Sequence, residues 1–227
     1  MERIKQNWEE IQKNIAAACA RAGRNPQEVK VVAVTKYLDL ETTRQVLDLG
    51  LTEIGESRVQ EAVPKYEVLG DRGTWHFIGH LQRNKVKNVV GRFTYIHSLD
   101  RFSLAQEISR RAENVGCTMR CFIQVNVSGE ESKFGLAPDE VMDFVEEVVQ
   151  LPHIHLEGLM TMAPRVEVPE ETRPVFRQLA EMRRKLQEDK GLSLPHLSMG
   201  MSQDYEIAVE EGATWLRLGS VLVGGTR

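Results

Sequence analysis

Only three cysteines occur in 227 residues (Cys19, Cys117 and Cys121), and their spacing is irregular. That count excludes a disulfide framework, and reduced thiols point to a cytoplasmic chain. Cys117 and Cys121 lack the second pair, or the histidines, that a zinc site takes, so no metal is expected. The sequence also lacks any apolar run near the ~20 residues that cross a bilayer. Its first residues, MERIKQNWEEIQKNIAAACARAG, are charged where a secretory leader is apolar. Neither charge is in excess: 29 basic residues stand against 33 acidic ones, for a net charge of −4. Such a balance lacks the basic footprint of a nucleic-acid binder, so neither nucleic acid nor membrane is expected as a partner. Dinucleotide fingerprints, Walker-type loops and metalloprotease helix motifs are missing. So are linkers, fixed-period repeats and low-complexity segments. Residues 1–227 therefore read as one domain, expected to be a monomer.

What the chain does contain is an alternation of two kinds of segment. Short apolar runs rich in β-branched residues read as strands at Val29–Tyr37, Thr52–Gly55, Trp75–Gly79, Tyr95–Ser98, Arg120–Val127, His155–Met162, His196–Met199 and Trp215–Leu218. Amphipathic stretches between them read as helices at Leu40–Leu49, Val59–Leu69, Arg101–Val115, Asp139–Leu151, Glu170–Lys190 and Gln203–Glu211. Alternation of this kind predicts parallel strands joined by right-handed crossovers. About eight units in roughly 200–250 residues predict an α/β fold of the (β/α)8, or TIM, barrel type. An open doubly wound sheet is the alternative. After the last strand only VLVGGTR remains, too short for a full eighth helix. The N-terminal segment carries Ile4, Trp8, Ile11, Ile15 and Ala18 on one helical face, and is predicted to cover that gap.

In such a barrel, functional residues gather at the C-terminal strand ends, with phosphate often held after strands 7 and 8. The first strand delivers Lys36 after VVAVT. A lysine closing so apolar a run needs a partner or a reaction, since desolvation favours the neutral, nucleophilic amine; the alternative is a lysine that snorkels off the strand end. Strand 7 ends in HLSMGMSQDYEIAVEEG, where Gly200 lets backbone approach a ligand and Ser198 and Ser202 offer hydroxyls. Ser202 is also an ordinary helix N-cap. Strand 8 ends in WLRLGS, which sets Gly219 and Ser220 beside that loop and Arg217 on the same side of the strand as Gly219. Two neighbouring Gly/Ser loops predict a phosphate site. His80 is either an acid–base group or a structural histidine. Lys133 lies in VNVSGEESKFGLAP, read as a lid or as a solvated loop.

VVAVTKY, GESRVQE, WHFIGHLQRNK, VNVSGEESKFG, GLMTMAP, LSMGMSQDYEIAVEEG and WLRLGS, in this order over residues 30–224, resemble the pyridoxal phosphate homeostasis protein family. The resemblance implies a fold-type III barrel like the N-terminal domain of alanine racemase, with pyridoxal 5′-phosphate (PLP) as cofactor. It implies that Lys36 is the Schiff-base lysine and that Ser198, Gly200, Met201, Ser202, Gly219 and Ser220 form the phosphate-binding set. Arg217 then faces the pyridine nitrogen, and Lys133 matches a second lysine associated with cofactor transfer. Where the family commonly has asparagine in its GEN-x-VQE motif, this chain has Ser57. The chain is also too short for the second domain that completes alanine racemases. The expected function is therefore PLP homeostasis without robust catalysis, with PLP-dependent apo-enzymes as implied partners. A PLP-dependent amino-acid racemase is the alternative, and a PLP-independent isomerase of a phosphorylated metabolite is a third.

Overall fold

The computed structural model describes residues 2–224, so the last three residues of VLVGGTR lie outside it. Eight parallel strands close into a barrel in the order β1-β2-β3-β4-β5-β6-β7-β8. They are β1 (Lys30–Val34), β2 (Glu53–Glu56), β3 (Thr74–Phe77), β4 (Tyr95–Leu99), β5 (Met119–Gln124), β6 (Ile154–Met160), β7 (His196–Ser198) and β8 (Trp215–Leu218). Pairing of β1 with β8 seals the ring, with Val31 opposite Leu216 and Val32 opposite Arg217. The predicted (β/α)8 class is the observed one.

The outer ring comprises α1 (Glu2–Ala22), α2 (Leu40–Asp48), α3 (Val59–Leu69), α4 (Val86–Val89), α5 (Phe102–Val115), α6 (Val141–Val148), α7 (Arg173–Lys190), α8 (Tyr205–Glu210) and α9 (Ser220–Val223). The apolar stripe of α1 does cover the gap left by the short last helix. Ile4, Ile11, Ile15 and Ala18 are buried there. Arg3 and Asn7 donate to the Val223 and Leu222 carbonyls at 2.8 and 2.9 Å.

Several predicted boundaries move. The strand expected over Val29–Tyr37 stops at Val34. The Thr35 amide still bonds the Gly55 carbonyl, but the Leu38 amide then closes a turn on the Thr35 carbonyl at 2.9 Å. Asp39 caps α2 by accepting from the Thr42 amide at 2.7 Å. Lys36 thus sits in a turn above the barrel rather than on the strand. The stretches predicted as helix from Asp139 and Glu170 begin with 3-10 turns at Pro138–Glu140 and Pro169–Thr172, each opened by a proline.

Strand alternation separates two cores. Outward residues such as Ala33, Ile54, Phe77, Ile96, Ile123, Leu197 and Leu216 pack beneath the helices. Inward residues Val32, Tyr95, Phe122, Met160 and Trp215 form a smaller cluster inside the barrel. On the same inward parity are His76, His97, Ser198 and Arg217, all buried. An interior this polar requires that each group find a partner.

Candidate functional site

A cavity of about 560 Å3 opens at the C-terminal mouth of the barrel. Lys36, Met201, Ser202, Arg217, Gly219 and Ser220 all line it. These six come from the loops after β1 and β7 and from β8 with the turn after it. Ser57, Gly79, His80, Gln124 and Phe134 complete much of the wall.

Lys36 is half-buried, with Nζ 4.9 Å from the ring centre of the exposed Tyr37. Its turn is held from below. Lys65 donates to the Thr35 carbonyl at 2.7 Å and to Glu56 Oε1 at 2.9 Å, while Thr35 Oγ1 donates to the same Oε1 at 2.6 Å. Glu56 and Lys65 are both buried, so this ion pair is a rigid strut beneath Lys36. Burial pushes the Glu56 carboxyl up, and the bonds from Thr35 and Lys65 pull against that rise.

The Gly/Ser loops meet as expected. The amides of Gly219 and Val221 both point at Ser202 Oγ, at 3.4 and 3.2 Å. Asp204 shapes the loop by accepting from the Met201 amide at 2.6 Å. Burial raises the Asp204 carboxyl, opposed by that amide and by Arg217.

Arg217 reaches the cavity from inside the barrel and is only 4% exposed. Its Nη1 donates to Ser198 Oγ at 2.7 Å and its Nη2 to the Thr161 carbonyl at 2.9 Å. Burial pushes the guanidinium down to about 10, so it remains a cation at neutral pH.

Two predicted site residues stand behind the wall instead of in it. Ser198 is buried and holds Arg217. Gly200 has φ +94°, and a Cβ there would lie 2.6 Å from Ala208 Cβ and 2.9 Å from Leu216 Cδ2. Its missing side chain makes room for α8 and β8. Gly79, which lines the cavity, is likewise packed against protein, since a Cβ there would lie 2.4 Å from the Ser57 carbonyl oxygen. His80 stacks on Phe134 with ring centres 3.8 Å apart, and its Nδ1 lies 4.0 Å from Asp100. Burial lowers its titration, with Arg101 adding to the effect and Asp100 opposing it. Lys133 bonds Glu130 at 3.2 Å and the Met162 carbonyl at 3.4 Å.

The alanine racemase N-terminal domain family matches residues 6–227. A pyridoxal phosphate homeostasis protein of Aquifex aeolicus is 46% identical over 224 residues, spanning 98% of this chain and 96% of that protein. The chain belongs to the pyridoxal phosphate homeostasis protein family. Another member, from Pseudomonas aeruginosa, is 39% identical and again covers nearly the whole of both chains. The structure of PipY from Synechococcus elongatus, with PLP bound, has a TM-score of 0.82 at 36% identity and covers 92% of this chain and all of that one. In this chain Lys36, the Gly/Ser loops and Arg217 lie together at the barrel mouth.

Sequence reasoning missed Glu56, Lys65, Asp204, His76 and His97. The two histidines carried a usable signal, because both fall on the inward parity of apolar strands.

Proposed function

We propose that the chain is a PLP-binding protein of intracellular PLP homeostasis, acting as one domain over residues 1–227. The observation that carries this reading is the convergence of an amine, a cluster of hydrogen-bond donors and a buried guanidinium on one cavity. The amides of Gly219 and Val221 share a single hydroxyl at long distances, and Ser202 keeps its own proton to donate. A phosphate group is the acceptor such a donor set suits. PLP supplies that phosphate together with an aldehyde that an amine can attack.

Each residue of this chain then has a task. Lys36 brings its amine to the cavity on a turn fixed by the Glu56–Lys65 strut. Ser202, with the amides of Gly219 and Val221, binds the phosphate beside Ser220 and Met201. Ser198 holds Arg217, and Gly200 sets the path of the loop. Arg217 as a fixed cation disfavours protonation of a ring nitrogen placed beside it, which weakens the ring as an electron sink. This supports a carrier without robust catalysis. So do the relatives, which are named homeostasis proteins and which the chain spans almost completely. PLP-dependent apo-enzymes are the partners this role implies, and Lys133, beside the cavity-lining Phe134, is the second lysine of the reading. Three free thiols suit a cytoplasmic site, and among the described residues no helix is long and apolar enough to cross a membrane.

Borohydride reduction of the PLP-loaded protein, followed by peptide mass spectrometry, tests the role of Lys36. A pyridoxyl group on Lys36 is expected; its appearance mainly on another lysine overturns the reading. Ser202→Ala removes one hydroxyl and leaves the amides in place. It is expected to weaken PLP binding by about 1.5–3 kcal/mol, the usual worth of a hydrogen bond to a charged group. Titration of apo-protein with PLP measures this directly. The racemase reading needs a second base, either His80, which lines the same cavity, or a residue from a lid. Chiral analysis of amino acids after long incubation decides it, and turnover no greater than that of free PLP is expected.

A further inference from the structure

Arg217 is a cation inside the barrel, and among the described residues no carboxylate pairs with it directly. Asp204 acts on it only through space, and its side-chain hydrogen-bond chain runs the other way, down through the barrel. Arg217 Nη1 donates to Ser198 Oγ at 2.7 Å, and Ser198 Oγ lies 2.7 Å from His97 Nδ1. His97 Nε2 lies 2.8 Å from His76 Nδ1, and His76 Nε2 lies 2.8 Å from Glu53 Oε2. The members sit on β8, β7, β4, β3 and β2. Glu53 opens β2 at the opposite, N-terminal face, where its side chain is 26% exposed. We propose that Glu53, His76, His97 and Ser198 form a one-way hydrogen-bonded relay that positions Arg217 from the far side of the barrel. The relay itself is read from this geometry, whereas its effect on PLP rests on the reading that Arg217 faces the cofactor.

The ends dictate the direction. A guanidinium can only donate and a carboxylate can only accept. Ser198, accepting from Arg217, has its one proton left to give to His97 Nδ1. His97 then carries its proton on Nε2 and gives it to His76 Nδ1. His76 in turn carries its proton on Nε2 and gives it to Glu53. Every link receives one proton, and both imidazoles are neutral. The reverse sense sets the His76 Nε2 lone pair against the Glu53 carboxylate. Burial is the largest influence on both rings and holds them toward the neutral form, His97 most strongly. Aromatic walls keep them in place: His76 stacks on Tyr95 at 4.5 Å and His97 on Phe122 at 4.4 Å. With Nη2 held by Thr161 and Nη1 by the relay, the guanidinium plane has two anchors, and among the described residues its remaining N–H groups have no hydrogen-bond partner.

Two experiments test this, and the first needs no cofactor. Long-range proton–nitrogen correlation spectra of apo-protein labelled with 15N-histidine report tautomers at neutral pH. Both His76 and His97 are expected neutral with the proton on Nε2; a charged ring, or a proton on Nδ1 of either, overturns the relay. The second compares Glu53→Gln, whose carbonyl still accepts from His76, with Glu53→Leu, which accepts nothing. Glu53 does not line the cavity, so a direct contact with PLP is not at issue. With thermal melting near wild type, Glu53→Leu is expected to weaken PLP binding about tenfold, the equivalent of one charged hydrogen bond. It should also shift the visible band of the bound cofactor, while Glu53→Gln stays within about twofold by the same measure. A folded Glu53→Leu variant with wild-type affinity and spectrum overturns the positioning role. Should Glu53→Leu fail to fold, His97→Phe carries the same readout. Wild-type protein that binds no PLP removes the cofactor reading and leaves the tautomer result standing.

Discussion

Replacing Lys65 with methionine is expected to cost about 3–5 kcal/mol of stability, because it strands the Glu56 carboxylate in the core. Glu56 Oε1 would keep only the Thr35 hydroxyl, and among the described residues its Oε2 has no partner even with Lys65 present. The pH dependence has a definite sign. Burial already raises the Glu56 carboxyl above its ordinary range. A carboxyl raised on folding favours the folded state while protonated and loses that advantage as pH rises through its folded value. Lys65 restrains the rise, so its loss deepens the penalty above that value. Urea denaturation of apo-protein should therefore show a larger deficit near pH 7 than near pH 4, where carboxyls approach their ordinary titration. Glu56→Gln added to Lys65→Met should recover part of the loss, since the amide still accepts from Thr35. An equal deficit at both pH values would mean that Glu56 is not the stranded charge. PLP retention should fall as well, because the Thr35 carbonyl beneath Lys36 loses its anchor.

Gly200→Val is expected to be the most damaging single change at the mouth of the barrel, and to act on the fold before it acts on any ligand. At φ +94° a β-branched residue is strained, at about 1–3 kcal/mol for a sparsely populated backbone region. Its Cβ would also press on Ala208 and Leu216, and overpacking of this kind adds about 1–3 kcal/mol. Chemical denaturation of apo-protein separates this account from the simpler idea that the side chain blocks the cofactor. A large loss of stability without PLP is the expected outcome; normal stability with lost binding would restore the ligand-facing role. Ala208→Gly in the Gly200→Ala background should return part of the stability by removing the nearest contact. The backbone strain would remain.

Arg217 shows how far the residue pattern reaches. Its place two residues before Gly219, on a strand ending in LGS, sets it on the inward face of the barrel, and there it is found. What that inward position costs, and how the charge is met, depends on four residues spread from position 53 to position 198. Lys36 was legible as the residue that follows the first apolar run. The strut beneath it was not, because Lys65 reads as one more polar position on an amphipathic helix and Glu56 as a strand-end carboxylate. Gly200 was legible as a glycine that matters, but whether its bare face meets ligand or protein is a question about α8, which lies later in the chain.

The sequence by itself determined the alternation of strands and helices, the barrel, the covering N-terminal helix and the gathering of Lys36, Ser202, Arg217 and Gly219 at one end. Those follow from periodicities of two and 3.6 residues and from strand ends, which are local properties of the chain. Only the tertiary structure decided which polar groups are paired inside the barrel, which glycine faces protein and which faces cavity, and where each strand stops. These depend on contacts between segments a hundred or more residues apart, such as His97 with Ser198 and β1 with β8. Burial makes such pairings obligatory without naming the partner; closure of the ring chooses it.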